Sequence, residues 1–211
     1  MSQSWSERAQ AYVESEAHRS GRDLDLIVEW AEGETALDVA TGGGHVARRL
    51  REAGFAVTTL DPAPGMRADV LAPAEHIPFD DGSFDTVVSR VAPHHFEDID
   101  AAVGEMARVS GGAVIVADNL YGGPLVEEAE RLRDPTHVRC YSEQGWRELF
   151  ARAGLAVEAV EHEAKRIELE PWLARAGCAG GEAERVKELL ADRTDGGYLT
   201  LDRIILKGRK Q

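Results

Sequence analysis

Two carboxylates and a glycine run carry the first chemistry in this chain. In the stretch ALDVATGGGHVARRL, Asp38 lies near the end of an apolar, strand-like run, Gly42 to Gly44 follow, and a basic, helix-like segment begins at His45. Gly42, Gly44 and Ala47 satisfy the G-x-G-x-x-G/A pattern that lets backbone approach a nucleotide closely. Asp61 stands at the end of the next apolar run, at the distance beyond Gly42 where a carboxylate suits two ribose hydroxyls. A nicotinamide dinucleotide and a sulfonium-bearing nucleoside satisfy this pattern equally. Asp38 separates them, because a carboxylate at the mouth of the turn repels a pyrophosphate and attracts an ammonium or sulfonium. The expected ligand is therefore cationic, against the plainer reading in which Asp38 only accepts N–H bonds within the turn.

These residues need strands to carry them. Apolar runs bounded by turn residues at 35–40, 56–60, 86–89, 113–117, 155–160 and 198–206 read as strands, with helical patterns between most of them. Two N-terminal helices are expected over 5–18 and 23–31. Others are expected over 45–53 and 98–109, ending beside Gly54 and Gly111, and in YSEQGWRELFARAG, with Ser142 as N-cap and Gly154 as stop. Alternation of short apolar strands with helices implies a mostly parallel sheet covered on both faces, whose ligands sit beyond the carboxyl ends of the strands. Segments 119–140 and 166–195 fall outside that minimal pattern, each carrying a helix, and are expected to form a lid or a two-fold interface of a homodimer. The whole of 1–211, with its N-terminal helices in 1–31, is expected to be one domain.

Composition narrows the class further. A chain of 211 residues, 43% hydrophobic and 29% charged, is long enough to bury a full core without staples. Cys140 and Cys178 form no CxxC pair, so neither a disulfide framework nor a zinc site is expected, and a cytoplasmic setting fits. No apolar run approaches the roughly 18 residues of a membrane span, and the N-terminal stretch lacks the order of a signal peptide. A formal charge of −14 disfavours nucleic acid as a partner. The histidines show no regular ligand spacing, so no metal is expected.

The chain resembles the class I S-adenosylmethionine-dependent methyltransferases, and within them the ubiquinone/menaquinone-biosynthesis-like branch. LDVATGGGHVA is similar to the family's first motif, TTLDPAPGM to its acidic second-strand end, PAEHIPFDDGSFDTVVSRVAPHHFED to its adenine motif and fourth strand, and MARVSGGAVIVAD to the helix and strand that follow. The resemblance implies a Rossmann-like, seven-stranded α/β sheet, mostly parallel with its last strand antiparallel, helices on both faces and a small helical lid. It implies S-adenosylmethionine as cofactor, S-adenosylhomocysteine as product and a small-molecule acceptor. Residue by residue, Asp38, Ala40, Thr41, Gly42 and Gly44 would face the methionine moiety, and Asp61, with Pro62 and Met66 beyond it, the ribose side. Ala74 and Glu75 would flank the adenine, and Ser89 would offer its carbonyl to the methionine ammonium.

The chain departs from the family pattern in three places. Ala40 stands where a first glycine is common, Pro73 stands where an aspartate commonly reads the adenine amine, and the segment from Asp61 to Ala74 is too short for the usual helix and strand. RADVLAP is expected to supply the next strand directly, with backbone or Glu75 replacing the missing carboxylate. For transfer itself, His94 and His95 of APHHF are the candidate proton acceptors, His94 preferred. Tyr12, His18, His137, Arg139 and Tyr141 are candidates for the acceptor pocket. His45, His76 and His162 read as surface or turn residues, Trp172 as a hydrophobic anchor or a pocket wall, and Trp5 as a core face of the first helix. Two rivals stay open: a nicotinamide-dependent oxidoreductase, and a module that binds the cofactor or a partner without turnover.

Overall fold

The computed structural model describes residues 2–211, so that of the N-terminal segment only residue 1 lies outside the described residues. Seven strands form one sheet: β1 (Thr35–Val39), β2 (Ala56–Asp61), β3 (Val70–Leu71), β4 (Phe84–Arg90), β5 (Ser110–Asn119), β6 (Leu155–Glu168) and β8 (Tyr198–Lys210), in the order β3-β2-β1-β4-β5-β8-β6, with a two-residue β7 (Thr194–Asp195) hairpinned onto β8. β1 to β5 pair in parallel; β8 runs antiparallel to both β5 and β6. This is the mostly parallel sheet with an antiparallel last strand that the sequence implies.

Successive side chains of the central strands bury on opposite faces, as a pleated strand requires. Val87, Val114 and Val116 pack under α5 (Ile99–Val109) and α7 (Glu143–Arg152), where Met106, Trp146 and Phe150 close one core. Val88, Ile115 and Ala117 pack on the other face against α3 (Arg22–Trp30) and α4 (His45–Glu52), through Leu24, Ile27, Val46 and Leu50. A third core lies beyond the sheet. There α6 (Pro124–Arg133), α8 (Leu169–Ala176) and α9 (Gly180–Leu189) gather Ala129, Trp172, Leu173 and Val186 around Leu199 and Leu201 of β8. The two additions therefore share one core, with Trp172 anchoring it under the Arg133 guanidinium at 4.2 Å.

Two expected boundaries move. The N-terminal helix breaks into α1 (Ser2–Val13) and α2 (Glu16–Arg19), because Ser15 takes an extended conformation and turns its Oγ to His18 Nδ1 at 2.7 Å. β6 continues past 160 because β8 pairs with it as far as Glu168. The exposed side of that ribbon carries charge, which hides it from a search for apolar runs. RADVLAP does supply β3, after a single 3-10 turn at Pro64–Met66 in place of the usual helix. No described helix is long and apolar enough to cross a membrane.

Candidate active site

The carboxyl ends of β1, β2 and β4 frame a cavity of about 490 Å³, within the range that holds a cofactor-sized ligand. Its floor is the turn from β1 into α4. Gly42 sits at φ +52°, which a side chain would strain, and an added Cβ at Gly43 would stand 2.7 Å from the Tyr12 carbonyl oxygen. The turn is thus open enough for a ligand below and for α1 above. Ala40 holds φ +55° despite its Cβ, so the position where glycine is common keeps the left-handed conformation at a cost of about 1–2 kcal/mol.

Asp38 braces this turn and lines the cavity. Its Oδ2 accepts the Thr41 hydroxyl at 2.6 Å and the Ala47 N–H at 3.1 Å. Burial pushes its carboxyl up to about 6; the bonds from Thr41 and Ala47 oppose the rise, and the charge of Asp61 adds to it. Asp61 Oδ2 accepts the Gly42 N–H at 3.0 Å and Oδ1 the Ala63 N–H at 2.9 Å. A carboxylate has about four acceptor positions, so both oxygens keep capacity for ligand hydroxyls. Across the cavity, Glu75 Oε1 accepts the N–H groups of Glu97 and Asp98, at 3.0 and 3.3 Å, and holds that loop beside Ala74. Asp38, Asp61, Glu75, Glu97 and Asp98 line the cavity against one arginine, Arg90, whose Nε is 2.6 Å from buried Asp23. Such a lining favours a cationic nucleoside over a pyrophosphate.

Aromatic residues cover the opening. Trp5 and Tyr12 lie on one face of α1, ring centroids 5.5 Å apart; Trp5 meets His95 edge-on at 4.7 Å, and Tyr12 lies 5.6 Å from His18. His45 is buried rather than on the surface, because Nε2–H donates to the Tyr12 carbonyl at 3.0 Å and ties α4 to α1. Beside these rings, Val91 takes φ +52° as the chain leaves β4. That is an outlier for a β-branched residue, held by its N–H bond to the Ala117 carbonyl at 2.7 Å.

The histidine pair divides. Pro93–His95 form a 3-10 turn, in which neighbouring side chains point about 120° apart. His94 turns inward, 3% exposed, with Nδ1 2.5 Å from Asp118 Oδ1. Burial drives the imidazole down to about 3 and the Asp118 carboxyl up to about 7. His95 lines the cavity, and its Nδ1–H donates to the Thr136 carbonyl at 3.0 Å, leaving Nε2 as the basic nitrogen. Burial, then His94, hold its pKa well below the usual value.

Of the residues expected to touch the cofactor, Asp38, Ala40, Thr41, Gly42, Asp61, Pro62, Met66, Ala74 and Glu75 line this cavity. Gly44 and Ser89 do not: Gly44 caps α4, and Ser89 sits one residue inside β4 in register with Val116, so Arg90 and Val91 reach the cavity instead. Of the acceptor candidates, Tyr12 and His18 line it; His137, Arg139 and Tyr141 do not. His137 turns inward to Glu127 Oε2 at 3.3 Å, Tyr141 packs on Trp146, and Arg139 lies over the Tyr141 ring at 5.3 Å. His94, the preferred base, is also absent from this lining and instead lines a smaller cleft behind it. Trp5, Arg90 and Val91 were missed. The two-turn helical spacing of Trp5 and Tyr12 and the charged end of TVVSR are the signals that point to them.

Glu127, His137 and Cys140 bring one ligand atom each within 4.8 Å of one another. Glu127 already accepts the Cys140 N–H at 3.0 Å, and burial keeps the thiol protonated far above its usual range. The trio therefore acts as a clamp on the 134–140 loop.

Residues 37–116 match the model of the family described as methyltransferase domain. The uncharacterized methyltransferase YcgJ of Bacillus subtilis is 29% identical over 88% of this chain and 82% of its own, and its crystal structure superposes with a TM-score of 0.80 over 90% and 98% of the two chains. Together these matches support a class I S-adenosylmethionine-dependent methyltransferase. A Bacillus halodurans methyltransferase structure superposes on the enzyme equally well, with a TM-score of 0.80 at 25% identity over 90% of this chain and 99% of that one. The demethylmenaquinone methyltransferase of Thermus thermophilus is 35% identical, over 46% of this chain and 52% of its own. The match to that relative thus covers about half of each chain.

Proposed function

We propose that this methyltransferase moves a methyl group from S-adenosylmethionine to a small-molecule acceptor, with the cofactor in the acid-lined cavity over the Gly42 turn. The observation that carries this reading is that lining: five carboxyl side chains against one arginine already paired with Asp23. Asp61 would take the ribose hydroxyls, Asp38 and the turn the methionine end, and Ala74 with Glu75 the adenine, Glu75 standing near the place left by Pro73. When bound, the cofactor supplies an electrophilic methyl on sulfur, open to in-line attack. The chain's own residues orient the acceptor, exclude water and receive a proton. Trp5 and Tyr12 close the cavity on the acceptor side, and holding the two reactants in line supplies most of the acceleration. His95, neutral with Nε2 unprotonated, is the base for an acceptor that has a proton to lose. On this reading the enzyme works as one domain in the cytoplasm.

Calorimetric titration with S-adenosylhomocysteine and with NAD in the same buffer tests the cofactor assignment. Micromolar binding of the first alone is expected; binding of NAD alone overturns it. Release of S-adenosylhomocysteine with a panel of hydroxyl, amine, thiol and carbon acceptors then tests the acceptor class.

A further inference from the structure

Behind the main cavity lies a second, smaller cleft that shares Tyr12, His18, Val91 and His95 with it and continues inward to Asn119, Arg133, Arg175 and Arg203. Its free volume is about 30 Å³, enough for two waters or one small polar group and far too little for a whole acceptor.

The charge around this cleft is the reverse of the main cavity's. Arg203 Nη1 bonds Asp23 Oδ2 at 2.5 Å, but that same oxygen already serves Arg90 Nε at 2.6 Å, so one carboxylate answers two guanidinium groups. Arg133 Nη1 bonds Glu130 Oε2 at 3.2 Å. Arg175 has no carboxylate partner among the described residues: its contacts are Ser15 Oγ at 3.0 Å and the Tyr12 ring at 5.9 Å. The Nε groups of Arg175 and Arg203 are buried without a hydrogen-bond partner. Arg203 itself is 4% exposed. Burial, then the charge of Arg133, bring the Arg175 guanidinium down to about 10, with Tyr12 and the charge of Glu130 opposing the fall. Buried unpaired donors on charged groups are costly, and a chain of net charge −14 had carboxylates to spare for pairing them.

We propose that this inner cleft receives a carboxylate of the methyl acceptor, held by Arg175 and Arg203, so that the substrate is a small organic acid whose nucleophilic atom lies a few bonds from that anchor and faces His95. The proposal rests on the methyltransferase reading for the outer cavity, and it makes the carboxylate an anchor, not the atom methylated. A carboxylate matches the arginine fork in geometry as well as charge, and its size matches the cleft.

The test uses formate, acetate, benzoate and salicylate against formamide, acetamide, benzamide and salicylamide, measured by ligand-observed NMR and thermal shift on the full chain saturated with S-adenosylhomocysteine. Expected is binding of one or more acids, with the matched amides at least tenfold weaker. In Arg175→Gln, acid affinity should fall about tenfold or more, as for loss of a charged hydrogen bond. Affinity for S-adenosylhomocysteine should be unchanged in that variant, which also shows that it is folded. Arg185→Gln, at an exposed arginine of α9 that pairs with Glu128 and does not line the cleft, should leave acid binding intact. Equal binding of acids and amides, no binding of any acid, or an Arg175→Gln variant that binds acids as the wild type does overturns the proposal. Failure of S-adenosylhomocysteine to bind sinks the cofactor reading instead, and the same comparison run without it still decides the cleft.

Discussion

Asp38 makes a prediction in which stability and binding move in opposite directions. A carboxyl whose pKa is about 6 in the folded, ligand-free enzyme, against an ordinary 3.8, is costly to keep ionised. The difference corresponds to about 3 kcal/mol of destabilisation. The sign follows from the raised value: the penalty is absent below pH 3.8, grows between there and pH 6, and is complete above pH 6. Asp38→Asn removes the charge, while its remaining carbonyl oxygen can still accept from Thr41 and Ala47, which both use one oxygen now. The ligand-free variant should therefore be more stable than wild type at pH 8, by up to about 3 kcal/mol, and the gain should vanish toward pH 4. Cofactor binding should respond the other way. If the cationic ligand needs the ionised form, apparent Kd rises as the ionised fraction falls, so wild-type affinity should be flat above pH 7 and about tenfold weaker at pH 5. The assays are urea unfolding of the ligand-free protein and calorimetric titration with S-adenosylhomocysteine, each at pH 5, 6, 7 and 8. A variant no more stable than wild type at pH 8, or one whose affinity and pH profile match the wild type's, refutes the reasoning and leaves Asp38 as a brace of the turn alone.

Three further outcomes are expected. His95→Gln should lower methyl transfer at least about 100-fold, in the range lost with a general base, while S-adenosylhomocysteine affinity measured by calorimetry stays within a few fold; unimpaired turnover of an ionisable acceptor would remove His95 from the chemistry. Ala40→Gly should raise the unfolding free energy by about 0.5–1 kcal/mol, because relief of the left-handed strain exceeds the extra chain entropy of glycine; a thermal melt showing a loss contradicts the strain argument. Asp23→Asn should destabilise by about 3–5 kcal/mol in urea, since it leaves two buried guanidinium groups without their shared carboxylate. Burial opposes the charge of Asp23, yet Arg203 and Arg90 hold its carboxyl near 2, so its contribution is present above pH 3.8 and lost as pH falls through about 2. A cost under about 1 kcal/mol in urea would mean that water reaches the pair.

Much of the cofactor side was legible in the linear chain because its signals are local. A strand ending in a carboxylate, a glycine turn and a second strand ending in another carboxylate lie within 37–61, and parallel pairing of neighbouring strands brings their ends to one edge with no further information. Six strands were legible as apolar runs bounded by turn residues, whereas β3 and the antiparallel last strand were implied by the family resemblance. Where the chain lacked an apolar run, as in the second half of β6, the strand stayed hidden, because the partner that orders it, β8, follows only after α8 and α9.

The acceptor side depended on direction and distance, which residue types do not encode. His94 and His95 are neighbours of the same type, and only the 3-10 turn that carries them decides which reaches the cavity and which reaches Asp118. His137, Arg139 and Tyr141 belong to a loop whose backbone is held by the His94 carbonyl, which accepts from Val138 and Arg139, and by the Glu127 clamp; the hold turns their side chains away. Arg175 and Arg203 are ordinary arginines in sequence, well separated and each with acids nearby. Their shortage of carboxylate exists only once α8, β8 and α3 are packed together and Asp23 is shared between Arg90 and Arg203. Apolar runs and spacing along the chain were thus enough to specify six strands, the glycine turn and the acidic strand ends, since each is a local pattern. Which histidine meets the cavity and where positive charge is left unpaired emerged only on packing, because both depend on how distant segments divide a few counterions and a few directions among themselves.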